Sequence, residues 1–276
     1  MKKIVYAGLI SAAIFTLAGC QKESDMPDNS KKEQVTFTFT ADKAGDNTKT
    51  SATFGSESVS YSWTEEDTQN IKLFLVTDTE TLIPSEAKIK DGKMEITATV
   101  DAADSYTFRA KYGKEWTGKQ PKLLNTQSPL VNNFDPNADV LVSDDLTTDK
   151  TSGLLLKFNR KVVKTVMNIS GIGAGEKVSQ VKISSDKKLF GEYNGASWSG
   201  SNGELILSYD DIEVNGVFPV YFTTIPGTEH KLTVTVTTDQ KTYSKTFTGT
   251  VDFNLGEVAT INTTPPEQTG GTVYTL

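Results

Sequence analysis

The sequence predicts an all-β protein of antiparallel β-sandwiches, on three observations. Apolar residues recur with period two: Val35, Phe37 and Phe39 alternate with threonines, as do Leu232, Val234 and Val236. Met94, Ile96, Ala98 and Val100 form another such set, followed by Tyr106, Phe108, Ala110 and Tyr112. Alternation of this kind puts one face of a strand in a core and the other in water. The chain also holds 38 threonines, and β-branched side chains suit a pleated surface. Turn dipeptides, namely Asp91-Gly92, Asn194-Gly195, Asn202-Gly203 and Asn215-Gly216, punctuate about fifteen strand candidates. No stretch offers a long amphipathic helix.

The first element is not part of that core. Lys2 and Lys3 precede an apolar run from Ile4 to Phe15, and then comes Leu17-Ala18-Gly19-Cys20. This pattern predicts a lipoprotein signal peptide over residues 1–19, cut before Cys20, whose thiol accepts the lipid. The run is shorter than the roughly 20 apolar residues a spanning helix needs. Cys20 is the single cysteine of the chain, so no internal disulfide forms and the core alone must hold the fold. Removing residues 1–19 leaves 257 residues and takes the formal charge from −7 to −9, because Lys2 and Lys3 go with them. An acidic balance of this size argues against nucleic acid as a partner. Residues 20–32 mix charge, Ser, Asn and Pro with no aliphatic residue except Met26 and read as a flexible tether.

Strand patterns begin at Val35. A polar stretch from Asn125 to Gly153, with Pro129, Pro136 and the pair Asp144-Asp145, is the candidate boundary between two domains. The expected division is an N-terminal β-sandwich over 33–150, a C-terminal β-sandwich over 151–264 and a tail over 265–276. Two adjacent prolines, Pro265 and Pro266, cannot continue a central strand, and the end of the tail, Gly270 to Leu276, has the composition of one more strand.

The search for chemistry assigns no catalytic residue, no metal site and no cofactor. His230 is the one histidine, and a zinc site of the usual nitrogen and sulfur ligands cannot be built from it alone; it reads as a surface residue. Asp135-Pro136-Asn137-Ala138-Asp139 begins like a calcium loop but has Val140 where the glycine belongs and Leu146 where the bidentate glutamate belongs. Turn formation accounts for those residues without a metal. Glu65, Glu66 and Asp67 follow Trp63, an arrangement that sugar sites also use. Trp63, Trp116 and Trp198 are candidate glycan contacts, against the commoner role of large aromatics in cores. Gly171-Ile172-Gly173-Ala174-Gly175 lacks the glycine spacing and the following helix of a phosphate-binding loop.

Several segments together resemble the fimbrillins, subunits of the lipoprotein-derived type V pili of Bacteroidales-type bacteria. They are the lipobox, the opening Val35 to Ala41, the Thr48-Lys49-Thr50-Ser51 turn and Val59 to Asp67 before the strand Ile71 to Val76. Further on, Asp139 to Ser143, Leu155 to Arg160, Phe247 to Thr250 and Leu255 to Ile261 match the pattern of the family. The resemblance implies two tandem transthyretin-like β-sandwich domains. It also implies a mechanism, in which a protease cuts after a basic residue behind the first strand and the strand of another subunit fills the groove left behind. Mapped here, the lost strand is Val35 to Ala41 and the cut falls at Lys49 or Lys43, since the only arginines are Arg109 and Arg160. The donor would come from Thr272, Val273, Tyr274 and Leu276.

The function expected on these grounds is that of a fimbrial subunit for surface adhesion, lipid-anchored to the outer membrane during export and partnered with other pilus subunits by strand addition. The alternative is a surface lipoprotein that does not polymerise, either a pilus anchor or accessory subunit or a module binding a host or bacterial glycan through its tryptophans.

Overall fold

A computed structural model describes residues 33–42, 51–54, 59–200, 203–256, 258–262 and 273–274. Cys20, Lys43, Lys49, Thr272 and Leu276 lie outside these residues, as do the signal peptide and the tether. Among the described residues the regular structure is all strand apart from one short 3-10 helix at Glu65–Gln69.

The alternating segments are strands, and their apolar sets point inward. Phe37, Phe39, Met94, Ile96, Phe108 and Ala110 are fully or almost fully buried, as are Leu232, Val234 and Val236. At Asp91-Gly92 both residues take positive φ, 51° and 71°, the twist that a two-residue hairpin needs between Ser85–Lys90 and Lys93–Asp101. Gly195 and Gly216 likewise have φ of 101° and 105°.

The first core is enclosed by a nine-stranded sheet. Its order is Glu80–Ile83, Ile71–Val76, Tyr106–Gly113, Val140–Ser143, Leu154–Arg160, Gln34–Asp42, Lys93–Asp101 and Ser85–Lys90, with Leu146–Thr148 also pairing Tyr106–Gly113. Phe39 and Phe108 lie on strands separated by two others in that order, yet their rings are 4.9 Å apart. Strands in a flat sheet are spaced about 4.8 Å, so the sheet must fold over to bring those faces together. The second core lies between a six-stranded sheet, with Lys177–Ser185, Glu204–Glu213, Leu232–Thr238 and Thr242–Thr246 at its centre, and a three-stranded one, ordered Phe218–Thr224, Val163–Ile169, Val258–Asn262.

Both cores repeat one pairing scheme. In the first, Gln34–Asp42 runs antiparallel to Lys93–Asp101 and parallel to Leu154–Arg160. In the second, Val163–Ile169 runs antiparallel to Phe218–Thr224 and parallel to Val258–Asn262. Each time the first strand of the core is held between an internal strand and the last.

The stretch Asn125 to Gly153 is not a solvated connection. Phe134, Ala138, Asp139 and Val140 to Val142 are buried, and the segment contributes strands to both sheets. Its polar composition reflects polar groups that are partnered inside: Gln127 donates to Thr223 O and accepts from Thr223 N at 2.7 and 2.9 Å. The strand Leu154–Arg160, beyond the expected boundary at 150–151, belongs with Phe37, Phe39 and Leu73 in the first core. A third, smaller cluster of Leu123, Val140, Val142, Val162, Tyr193 and Ile225 joins the two.

Candidate functional site

The opening strand, Gln34–Asp42, occupies the site with the clearest functional geometry. Alternation turns Val35, Phe37, Phe39 and Ala41 to the core and the threonines between them outward. Along Lys93–Asp101 the register sets Phe37 against Ala98, Phe39 against Ile96 and Ala41 against Met94, so a large ring meets a small or slender partner. On the other edge only Phe39 to Asp42 pair with Leu154 to Lys157, with Thr38 N donating to Thr151 O just before. Phe37 stacks edge-on to Tyr106 at 4.7 Å and lies 4.9 Å from Phe108. Burial of each such ring contributes about 1.5–3 kcal/mol. Without this strand, Ile96, Ala98, Tyr106, Phe108, Leu154 and Leu156 would line an apolar slot between two unpaired backbone edges. A second strand of like pattern could bind there by backbone hydrogen bonds and by side chains at alternate positions.

The other sequence-singled residues fall in different places. Trp63 is 5% exposed and packs edge-on against Tyr112 and Phe158, each at 5.6 Å; it is a core residue with no face to offer a glycan. Trp116 is half-buried, with Lys72 Nζ 4.0 Å above its ring. Trp198 is also half-buried, tilted against Tyr193 at 5.3 Å, and its Nε1 donates to Lys161 O at 3.1 Å. Trp116 and Trp198 lie on the two outer strands of one small four-stranded sheet.

Asp67 is buried and structural. One carboxylate oxygen accepts from Thr64 N and Oγ1 at 2.8 and 3.0 Å, which caps the 3-10 turn, and the other accepts from Tyr112 Oη at 2.7 Å. Glu65 and Glu66 are exposed. Asp135 accepts from Ser128 N and Asn137 N, both at 2.8 Å, so its oxygens shape a turn. Asp139 is fully buried and paired with Arg160 Nη2 at 2.8 Å, with Lys164 Nζ at 3.9 Å. Burial alone would raise the Asp139 pKa, but attraction to Arg160 and Lys164 and the hydrogen bonds from Arg160 and Val140 N outweigh it and hold the carboxyl below its ordinary value. Burial pushes Lys164 down to about 8, against the pull of Asp139.

The glycine-rich stretch wraps a buried acid. Glu176 accepts from Thr238 Oγ1, Tyr243 Oη and Lys241 Nζ at 2.7, 2.8 and 2.9 Å, and a Cβ at Gly173 would lie 2.3 Å from its Oε1. His230 is 1% exposed rather than a surface residue. Its ring packs against Phe253 at 4.9 Å and its Nδ1 meets Ser185 Oγ at 3.0 Å. Burial and nearby Lys187 lower its pKa, so the ring is neutral at pH 7. Sequence reading missed this burial because the neighbours Glu229 and Lys231 are both charged.

The chain shares its architecture with a candidate cell adhesion protein from Bacteroides ovatus, at a TM-score of 0.52 and 15% identity over 84% of this chain and 91% of that one. The fold is that of a Bacteroides surface-adhesion candidate. Lower similarity extends to a fimbrial assembly protein from Parabacteroides distasonis, at a TM-score of 0.41 and 11% identity over 84% and 90% of the two chains. It reaches the fimbrial anchor protein of Porphyromonas gingivalis at 0.37 and 12%, over 74% and 77%. These likenesses concern fold. No family model and no curated protein matches the sequence. Among the described residues no helix is long and apolar enough to cross a membrane.

Proposed function

We propose that this protein is a cell-surface adhesion subunit of a fimbrial assembly, exported as a lipoprotein through Cys20 and joined to its neighbours by replacement of the opening strand. The observation that carries the reading is the placement of Gln34–Asp42: paired on both sides, with Phe37 and Phe39 wholly buried. Such a strand lies at the start of the fold, so one cut behind it, at Lys49 or Lys43, leaves it held in the first core by pairing and packing alone, where another strand can replace it. The incoming donor is the tail of another subunit, with Thr272, Val273, Tyr274 and Leu276 supplying its alternating side chains.

A second reading is favoured by one feature. Val273–Tyr274 pair parallel with Thr242–Tyr243 at the edge of the six-stranded sheet of their own chain. A tail held there is not offered to a neighbour, which fits an anchor or accessory subunit that stays lipidated and caps a fibre. N-terminal sequencing and intact mass of protein recovered from the cell surface separate the two. A start at Thr50 or Ala44 supports strand replacement. An acylated Cys20 on all the material removes it and leaves the anchored subunit.

A further inference from the structure

An open cleft of about 460 Å³ lies on the second core, lined by Lys187, Lys188, Trp198, Pro226, Gly227 and His230. It lies outside the opening-strand groove and has the parts of a saccharide site. Trp198 supplies a flat apolar face, fixed in orientation by its hydrogen bond to Lys161 O and by Tyr193. Pro226 extends the apolar wall. Two lysines, Lys187 and Lys188, line the cleft, and Lys161 is hydrogen-bonded to Trp198 through its carbonyl, in a protein whose net charge is −7. Lys188 is exposed, Lys187 Nζ is held by Thr228 O at 2.6 Å, with Glu229 at 3.7 Å, and Lys161 Nζ lies 5.9 Å from the Tyr193 ring. The rim carboxylate, Asp186, is turned to its own chain, accepting from Lys231 N at 2.9 Å and Ser185 Oγ at 3.3 Å.

The floor adds a second, independent observation. Ser185 Oγ accepts from Lys187 N at 3.1 Å and lies 3.0 Å from His230 Nδ1. The other ring nitrogen, Nε2, is buried without a partner. It lies directly beneath Gly227, where an added Cβ would come within 2.5 Å. A buried polar nitrogen left unmet is costly unless a water or a ligand meets it.

We propose that this cleft binds an acidic saccharide: a sugar ring stacked on Trp198, its carboxylate or sulfate on Lys187 and Lys188, and one of its hydroxyls over the His230 Nε2 floor. The inference rests on the adhesion reading only for where such a polymer would be met, at a host or bacterial surface. It does not depend on removal of the opening strand.

The test is an array of uronate, sialylated and sulfated oligosaccharides beside their neutral counterparts, probed with the full-length protein and followed by titration calorimetry. Acidic members are retained, and blocking the carboxylate as its methyl ester weakens binding about tenfold, the scale of one charge contact. Lys188→Gln weakens it similarly, and Trp198→Ala abolishes it, while Trp116→Ala changes nothing. Should Trp198→Ala fold poorly by circular dichroism, Trp198→Phe keeps a ring and shows a partial loss. Retention of neutral and acidic glycans alike overturns the role of the lysines, and equal binding of sodium sulfate alone overturns that of the sugar ring. Retention of no acidic glycan overturns the site itself, and it leaves strand replacement to be judged by the N-terminus of the surface protein.

Discussion

Asp139 is where single residues carry the most. Its carboxylate is fully buried beside Arg160 and Lys164, whose side chains are 8% and 2% exposed, and Lys164 Nζ also donates to Ala138 O and Thr223 Oγ1 at 3.0 and 3.2 Å. Breaking such a pair costs more than the pair contributes, because the buried cations lose their nearest counter-charge. Asp139→Asn is therefore expected to lose about 3–5 kcal/mol of stability at pH 7, read from urea denaturation. The pH dependence has a definite sign. With its folded pKa held below the unfolded value of about 3.9, Asp139 contributes its full stability above that pH and loses it as pH falls through the folded pKa. The gap between wild type and Asp139→Asn should accordingly shrink in acid; a gap unchanged from pH 7 to pH 3 would rule out the charge as its cause. None of this was legible in the sequence, where Asp135 to Asp139 looks like a turn or a partial calcium loop. Turn residues and ion-pair residues are the same few types, and only the positions of Arg160 and Lys164 tell them apart.

At the scale of elements, alternation was enough to find the opening strand and Leu232–Thr238, since period two reports burial on one face directly. It could not find partners. The parallel pairing of Gln34–Asp42 with Leu154–Arg160 joins residues more than a hundred positions apart, and nothing local encodes it. Trp63 was unreadable for a related reason: a tryptophan followed by acids looks the same whether it faces solvent or the rings of Tyr112 and Phe158. The pairing leads to a test of the opening strand as an exchangeable unit. A chain lacking residues up to Asp42 should be recovered as a soluble, melting species only when a peptide of residues 34–42 is supplied, because the slot otherwise exposes Ile96, Tyr106 and Phe108 with two open strand edges. The same peptide carrying Phe37→Asp and Phe39→Asp should fail to restore the thermal transition, since each charge would have to be buried unpaired. Equal rescue by both peptides would show that backbone pairing alone fills the slot.

At the scale of the molecule, two large cores are joined by groups that belong to both. The described residues from Glu33 onward form one compact unit, even though the pairing scheme repeats and each core has its own sheets. The joining parts are the small cluster around Val140, Val162 and Ile225 and the buried Lys164, which reaches Ala138 O and Asp139 just ahead of Val140–Ser143. Within the second core, the Gln127 side chain satisfies both the N–H and the C=O of Thr223 across 96 residues of chain and ties its two sheets together. Gln127 is 2% exposed, so no water is at hand to replace it. Truncation to Gln127→Ala would leave two buried backbone groups unpaired, at about 1–3 kcal/mol each. The cost falls between the two sheets of the second core. The wild type is expected to melt in one calorimetric transition whose van't Hoff enthalpy approaches the calorimetric one, the mark of cooperative unfolding. In Gln127→Ala the ratio of the two should fall and the peak should broaden or split, because the second core is weakened while the first keeps its packing. A lower but equally sharp single transition would instead show that the two cores stay coupled through the apolar cluster, where Val140 and Val162 would be the next residues to truncate.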